Sequence, residues 1–274
     1  MMVEGVHWLA GAAPEDVAWK LVGVNLSDLA AKGAKPLGVM LGYMLGTSDW
    51  DARFAAALGD ALSHYDTALW GGDTVAAPRD DGARAIGITA IGRASHLPVP
   101  SRSGAQAGDT LWVTGTIGDA MLGFLNDTEV RACSAATVAR FRRPVPRLAE
   151  GIALANMVTA IMDISDGLLL DTQRLAAASS VTISINTADA PMSPALRDAI
   201  TSDPSLCQKA LGWGDDYELL FTLPAGLAPV MPATQIGEVT VSCGPPLLID
   251  GLPPPGDLRL GWEHGQPMDG QRTV

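Results

Sequence analysis

The sequence predicts a two-domain protein of the α/β (α+β) class, and three observations lead to this prediction. Hydrophobic residues make up 47% of the 274 residues and charged residues 18%, which is enough apolar material for a large core. Aromatic residues contribute only 5% while alanine and glycine are abundant, which is typical of helices packed closely on sheets. A segment rich in proline, serine and glycine, residues 96–108, separates two stretches that each carry helix and strand signals. The expected domains are therefore 1–100 and 101–274.

The first domain begins with a predicted helix over residues 14–32. Pro14 suits the first turn, the acidic residues that follow it complement the positive end of a helix, and Gly33 and Pro36 end the pattern. A motif that resembles a capping box, Ser48 followed by Asp51, begins a second helix. The remaining elements predicted here are the helix 48–62, the strands 67–70 and 85–91, and a turn at Asp81-Gly82.

The second domain is expected to repeat this alternation of strands and helices. Its predicted elements are the strand 110–114, a helix from about Asp119, the helices 135–141 and 147–155, the strand 158–162, a helix to about Ala178, and the strands 181–185 and 217–222. Prolines are dense from Pro224 onward, and residues 265–274 are expected to form a frayed tail.

The charge and the cysteines exclude several classes of function. The net charge of −12 argues against a nucleic-acid partner, since nucleic-acid affinity comes largely from lysine and arginine on phosphates. It is compatible with a phosphorylated substrate, because acidic residues can hold metal ions. The cysteines Cys133, Cys207 and Cys243 form no Cys-x-x-Cys pair, which indicates a reducing compartment and no zinc site.

The chain carries no targeting or membrane signal that the sequence reveals. Its N-terminus has no basic region followed by a long apolar run, which a secretory signal requires. No stretch reaches the roughly 18 uninterrupted apolar residues of a membrane span. We therefore expect a soluble cytoplasmic protein that has no membrane partner.

The strongest chemical signal is Asp163-Ile164-Ser165-Asp166-Gly167, which lies between a predicted strand and a predicted helix. Ser165 or Asp166 could cap the helix, but the remaining acid would gain little from capping and would repel its neighbour. A divalent cation resolves this repulsion, and the helix N-terminus adds N–H groups for an anion. This motif therefore predicts a site for metal and phosphate.

Two further motifs are weaker taken alone. Asp28 continues the apolar stripe of Val17, Leu21 and Val24 on the first helix, and a carboxylate on a buried face requires a salt bridge, a capping bond or a metal ion. The run of residues 71–74, Gly-Gly-Asp-Thr, follows a strand. Its glycines would let the backbone approach a phosphate and its aspartate could hold magnesium, although the same run is also an ordinary turn.

Other residues complete the set of candidates. Asp215, Asp216 and Glu218 lie at a strand entrance, and the glycine turn of residues 115–119 suits either a phosphate or a tight turn. Arg102 could pair with a phosphate or be a solvated surface arginine, and a lone histidine such as His7 is commonly structural. The sequence has neither a GxSxG motif nor a GxxxxGK[ST] loop, so a phosphate enzyme here would use carboxylate-bound metals.

Taken together and in chain order, nine motifs resemble those of the thiamine-monophosphate kinase family. This family belongs to a superfamily that includes aminoimidazole-ribotide synthetase and selenophosphate synthetase. Each motif is short, but the set spans nearly the whole chain in the family's order, which makes it specific. The motifs are VEGVHW (3–8), NLSDLAAKGAKP (25–36), WGGDT (70–74), RSGAQAGD (102–109), VTGTIGD (113–119), RRPVPR (142–147), DISDGL (163–168), GWGDDYEL (212–219) and GWEH (261–264).

The resemblance implies a fold, a reaction and a set of site residues. The fold would be that of aminoimidazole-ribotide synthetase, with an N-terminal sheet-plus-helices domain that forms a homodimer and a C-terminal α/β domain. The reaction would be direct, magnesium-assisted transfer of the γ-phosphoryl group of ATP to thiamine monophosphate, without a covalent protein intermediate. By that resemblance the magnesium ligands are Asp28, Asp73, Asp163 and Asp166, the ATP contacts are Gly72, Asp73, Arg102 and Ser165, and the substrate contacts are His7 and Asp215.

The sequence departs from the family's pattern in three places. The resemblance implies an N-terminal segment with a Gly-Asp-Asp motif before the VEG motif, so a chain that begins at Met1 is expected to lack two strands and several metal ligands. Such a chain is expected to bind Mg-ATP weakly or not at all and to be less stable than one with those strands. Trp213 and Asp215 replace a glycine and a longer acid on the substrate side, and Gly265 replaces an aromatic residue. The alternatives are another ATP-dependent synthetase or kinase of the superfamily, or a non-catalytic remnant.

Overall fold

The structure is a computed structural model that describes residues 1–76, 83–242 and 244–263. Its strands are β1 (Met2–Val3), β2 (Ala34–Leu45), β3 (Ala68–Ala76), β4 (Ala85–Ala94), β5 (Thr110–Val113), β6 (Ala160–Asp163), β7 (Val181–Ile185), β8 (Leu219–Leu223), β9 (Thr234–Val241) and β10 (Leu247–Ile249). Its helices are α1 (Pro14–Ala30), α2 (Ser48–His64), α3 (Asp119–Asp127), α4 (Ala135–Arg142), α5 (Leu148–Leu154), α6 (Leu168–Ser179), α7 (Pro194–Ser202) and α8 (Ser205–Leu211). The strands form two sheets, one of order β1-β4-β2-β3 and one of order β10-β7-β9-β5-β8-β6.

Helices α1 and α2 pack together against the four-stranded sheet. Their apolar residues, among them Val17, Leu21 and Phe54, are buried with Val39 and Ile86 of the sheet. Every residue of β3 is exposed, so this edge of the sheet presents apolar side chains to solvent. The exposed large apolar residues of this sheet are Met40, Leu45, Leu69, Trp70, Val75 and Ile91.

The six-stranded sheet carries the second core. Helix α6 contacts β6, β7 and β10, and its residues Leu168 and Leu175 are buried with Ile183 of the sheet. Helices α3, α4, α7 and α8 contribute to a separate apolar cluster that includes Phe141 and Trp213. The described residues thus form one apolar core for each sheet, a further cluster beside the second sheet, and a fourth cluster shared by α1, α5, β6 and β8.

Helix α1 is also the main contact between the two halves of the chain. It packs against α5, where a Cβ atom on Gly151 would lie 2.0 Å from the carbonyl oxygen of Ala30. Only glycine permits this approach. The same helix contacts β6, so its last turns lie beside the loop that follows that strand. This contact brings the NLSD and DISDGL motifs together.

Several elements match the sequence-based expectations and several do not. Both predicted N-terminal helices are confirmed, with ends that differ by two residues, but β3 and β4 extend beyond their predicted ends. The long strand β2 is not predicted, because Pro36 and two glycines obscure it; a register shift between Pro36 and Gly38 accommodates the proline in the sheet. Also unpredicted are α7, α8, β9 and β10. The predicted turn at Asp81-Gly82 and the predicted tail 265–274 lie outside the described residues.

Within the described residues, no helix has both the length and the apolar character that a membrane crossing requires.

Candidate active site

A cavity of about 380 Å³ lies where α1 meets the loops after β6 and before β8. It collects four carboxylates together with one histidine and one lysine. Six of the site residues that the sequence predicts therefore line one cavity: His7, Asp28, Asp163, Ser165, Asp166 and Asp215. The residues that line it are Met1, Met2, His7, Lys20, Val24, Asn25, Asp28, Asp163, Ser165, Asp166, Asp215, Tyr217 and Trp262.

Asp163 ends strand β6 and lies next to helix α1. The hydroxyl of Ser27 donates a hydrogen bond of 2.6 Å to its Oδ2. The pKa of Asp163 is raised to about 7, mainly by burial and also by the negative charge of Asp28, and the bond from Ser27 opposes both effects. A carboxylate held in this way without a cation is costly, which is the property expected of a metal ligand.

Asp28 follows Ser27 on α1 and faces the same cavity. The sequence predicts it on a buried face, and the structure corrects this: Val17 and Leu21 are buried, whereas Asp28 is exposed where the helix reaches the cavity. Partial desolvation still raises the pKa of Asp28, although the charge of Lys32 lowers it. Asp28 is therefore accessible to a cation in the cavity, as a metal ligand must be.

Asp166 is held by an ion pair that the sequence does not reveal. Arg174 on α6 donates to the carboxylate of Asp166 and, at 3.0 Å, to Oδ1 of Asp171. Oδ2 of Asp171 accepts the backbone N–H groups of Ser165 (3.0 Å) and Asp166 (2.9 Å). Burial raises the pKa of Asp171 to about 6, although the N–H of Asp166 stabilises its ionised form. Asp171 therefore fixes the backbone of the loop, and Arg174 supplies the positive charge beside it.

Asp215 enters the cavity from the loop before β8. Its Oδ2 lies 3.0 Å from Nζ of Lys20 on α1, and its Oδ1 accepts a hydrogen bond of 3.2 Å from the hydroxyl of Tyr217. Lys20 and Tyr217 are absent from the sequence-based site. One signal could have revealed Lys20, since it lies between Val17 and Val24 on the apolar face of α1, where a lysine needs a partner.

His7 lines the cavity and is fixed by the backbone of its own loop. Its Nδ1 accepts a hydrogen bond of 3.0 Å from the N–H of Val3. In the neutral ring the proton is therefore on Nε2, which makes that nitrogen a donor. The arrangement suits a donor to an anionic or carbonyl-bearing ligand.

Three of the expected site residues lie outside this cavity. Asp73 is exposed on β3 and its Oδ1 accepts a hydrogen bond of 2.9 Å from the N–H of Thr74. Gly72 has a structural reason to be glycine, because a Cβ atom there would lie 1.9 Å from the carbonyl oxygen of Leu41. Arg102 is exposed, and its carbonyl accepts a hydrogen bond from Ser179.

The acids that follow Asp215 are bound by groups of the fold and not by the cavity. Glu218 is 1% exposed and is bound by Arg147 through two bonds of 2.6 Å and by Arg140 at 2.9 Å. Asp216 accepts the N–H of Gly118 at 2.9 Å, and burial raises its pKa well above the usual value. This N–H of the glycine turn is therefore bound to Asp216 rather than offered to a phosphate.

Trp213, the bulky residue expected on the substrate side, is buried in the apolar cluster beside the cavity. Its ring lies 5.1 Å from that of Phe124 in a tilted contact. It lines a neighbouring cavity of about 280 Å³ that shares Trp262 with the first. The indole therefore packs into the core and is not among the residues that line the acidic cavity.

The donor set of the cavity fits magnesium. In the ranges that the structure describes, no three acidic, histidine or cysteine side chains converge closely enough to hold a metal ion by themselves. Magnesium does not need such a cage, because it keeps several waters and is usually held by one or two carboxylates together with substrate phosphates. Asp28 and Asp163, whose charges repel, supply such carboxylates.

The chain matches the family of AIR synthase related proteins, with the N-terminal domain over residues 1–94 and the C-terminal domain over residues 106–245. Thiamine-monophosphate kinase of Escherichia coli strain K12 is 36% identical over 280 residues, which cover 96% of this chain and 84% of that protein. The Caulobacter vibrioides enzyme of the same name is 36% identical over 281 residues, which cover 96% and 78%. The solved structure of AaThiL complexed with AMPPCP and TMP has a TM-score of 0.85 and 31% identity, and covers 96% of this chain and 84% of that one. The chain therefore belongs to the thiamine-monophosphate kinase family.

Proposed function

We propose that this chain transfers the γ-phosphoryl group of ATP to the phosphate of thiamine monophosphate, which yields thiamine diphosphate and ADP. The observation that carries the proposal is the single cavity that joins Asp28, Asp163 and Asp166 to His7 and Asp215. The relative solved with AMPPCP and TMP supports the choice of substrates, since AMPPCP carries the triphosphate-like chain of ATP.

Magnesium is the cation that we propose for the acidic side of the cavity. Asp28, Asp163 and Asp166 would hold it, and the resemblance adds Asp73. When bound, magnesium neutralises negative charge on the phosphates and on the group in transfer. Ser27 holds the carboxylate of Asp163 in place, and Asp171 holds the backbone of the loop that carries Asp166.

The nucleotide and the acceptor are assigned to different residues. For ATP we propose Gly72, Asp73, Arg102 and Ser165, of which Ser165 lines the cavity. For the acceptor we propose His7 and Asp215. Direct transfer requires the two phosphates to be aligned and their charge to be balanced, and no side chain needs to act as a nucleophile.

Three further assignments follow from family membership. We propose that residues 1–100 form the N-terminal domain and residues 101–274 the C-terminal domain. The exposed apolar side chains of β2, β3 and β4 support a homodimer, because apolar residues on and beside an exposed edge strand favour association. We place the reaction in the cytoplasm, where ATP is available and the cysteines stay reduced.

An acceptor panel tests the proposal. ADP release and thiamine diphosphate formation should be measured with ATP, magnesium and either thiamine monophosphate, thiamine or ribose 5-phosphate. We expect ADP and thiamine diphosphate to form in equal amounts with thiamine monophosphate alone. ADP release with another acceptor would indicate a different ATP-dependent reaction of the superfamily. No ADP release with any acceptor, and no thermal protection by ATP, would indicate a non-catalytic chain.

A further inference from the structure

One buried lysine lies among the acids of the acidic cavity. Among the described residues that line the cavity, Lys20 is the only lysine or arginine, and four carboxylates line the same cavity. It is 3% exposed and lies on α1, whose later residues Ser27 and Asp28 belong to the acidic side of the cavity. A buried lysine is rare in proteins and requires a partner.

Lys20 is fixed in position by two different contacts. Its Nζ lies 3.0 Å from Oδ2 of Asp215 and 4.0 Å from the centre of the Phe141 ring, where a cation interacts favourably with the π face. Phe141 contacts Phe124 at 5.7 Å between ring centres, and Phe124 contacts Trp213. A series of aromatic contacts therefore links Trp213, which lies two residues before Asp215, to Lys20, which binds Asp215.

The backbone around Asp215 is held as firmly as the side chain. Asp215 has a φ of 72°, a left-handed conformation that costs energy for a residue with a side chain, and its N–H donates to the carbonyl of Ser165 at 2.9 Å. Tyr217 has a φ of 50° and its N–H donates to the carbonyl of Ile164 at 2.8 Å. Such strain persists where the surrounding structure fixes it, and this happens most often at binding sites.

We infer that Lys20 is a positioning residue for the acceptor, because it holds the carboxylate of Asp215 in the orientation in which Asp215 binds thiamine monophosphate. This inference rests on the proposed function. Without Lys20, Asp215 would be a buried carboxylate close to three others with no cation beside it, and it would turn away from this position. The effect is expected at the acceptor, because the carboxylate that Lys20 binds belongs to Asp215, the residue proposed for the acceptor.

The test compares Lys20→Met, Asp215→Asn and the double variant. Lys20→Met should raise the KM for thiamine monophosphate about tenfold, as expected for loss of a charged hydrogen bond, and should leave the KM for ATP within about twofold. Because Lys20 acts through Asp215, the double variant should be no worse than Asp215→Asn. The matched control is Glu15→Gln, on the same helix α1 as Lys20. It breaks an exposed ion pair with Arg53 of α2 and should change neither KM.

Two outcomes would overturn the inference. One is an unchanged KM for thiamine monophosphate in Lys20→Met with only a lower Tm, which would make the pair purely structural. The other is a double variant whose KM exceeds that of Asp215→Asn, which would show that Lys20 acts independently. If Lys20→Met does not fold, the double variant decides, since removal of both charges leaves no unpaired charge.

Thermal protection by thiamine monophosphate alone separates this inference from the proposed function. We expect the ligand to raise the Tm of the wild-type chain and to do so far less in Lys20→Met at the same concentration. Equal protection of both chains would overturn the inference and leave the proposed function standing. A wild-type chain that is neither protected nor active would overturn both.

Discussion

The hydroxyl of Ser27 donates a hydrogen bond of 2.6 Å to the carboxylate of Asp163, across 136 positions of sequence. This bond joins helix α1 to the end of strand β6, and it lies beside Asp28, the other acid of the pair. Ser27 is fully buried and Asp163 is half-buried, so the bond is partly shielded from water and is correspondingly stronger. The acidic cavity therefore forms where the two halves of the chain contact each other.

Substitution of Ser27 by alanine should weaken the use of magnesium. Because the bond from Ser27 lowers the pKa of Asp163, its loss leaves less of the carboxylate ionised at pH 7. We expect the magnesium concentration for half-maximal activity to rise about tenfold at pH 7 and less at pH 8.5. Ser63→Ala, on the exposed side of α2, is the control. Equal magnesium requirements for the wild type and Ser27→Ala at pH 7 would contradict the role of this bond.

Asp163→Asn should make the magnesium-free protein more stable at neutral pH. The folded pKa of about 7 lies above the usual 3.8, so the folded chain binds this proton more tightly than the unfolded chain. The free energy of unfolding therefore falls as the pH rises from about 4 to about 7, and Asp171, with a raised pKa of about 6, acts in the same direction. Melting curves in EDTA between pH 5 and 8 should show a smaller decline for Asp163→Asn. If the Tm of the wild type and that of Asp163→Asn decline in parallel with pH, the raised pKa of Asp163 is refuted.

Asp171 should be required for the shape of the loop that carries Ser165 and Asp166. Asp171→Ala leaves two backbone N–H groups without their acceptor and leaves Arg174 with Asp166 alone, which should cost about 2–3 kcal/mol and lower kcat strongly. Asp171→Asn keeps one acceptor oxygen and should be affected less. Tm and kcat of both variants provide the check, and an alanine variant that matches the wild type in both would be inconsistent with this role.

His7 should bind the acceptor through Nε2, because Nδ1 is bonded to the N–H of Val3. His7→Ala should raise the KM for thiamine monophosphate about fivefold or more, lower the Tm and leave the KM for ATP unchanged. His7→Asn can place its amide oxygen where Nδ1 lies, so it should restore the Tm but not the KM. A variant His7→Asn with a normal KM for thiamine monophosphate would show that His7 serves the fold alone.

The sequence predicts the fold class, the first two helices and the family, and the comparisons confirm the family and its fold. These predictions succeed because helix caps, spacing and motif order are local signals. Strand β2 is missed because its proline and glycines are tolerated only through pairing with β3 and β4. Arg174 is missed for a similar reason. The apolar face of α1 signals that Lys20 needs a partner, but the partners Asp215 and Asp166 are set by tertiary contacts that no local pattern encodes.

The most direct test of the account is the formation of thiamine diphosphate from ATP and thiamine monophosphate, measured with and without magnesium. We predict that the wild-type chain forms thiamine diphosphate and ADP in equal amounts only when magnesium is present. Asp163→Asn and Asp166→Asn should fold but form neither product, since each removes a proposed metal ligand. Thiamine diphosphate formation that is independent of magnesium, or unchanged in either variant, would contradict the central claim.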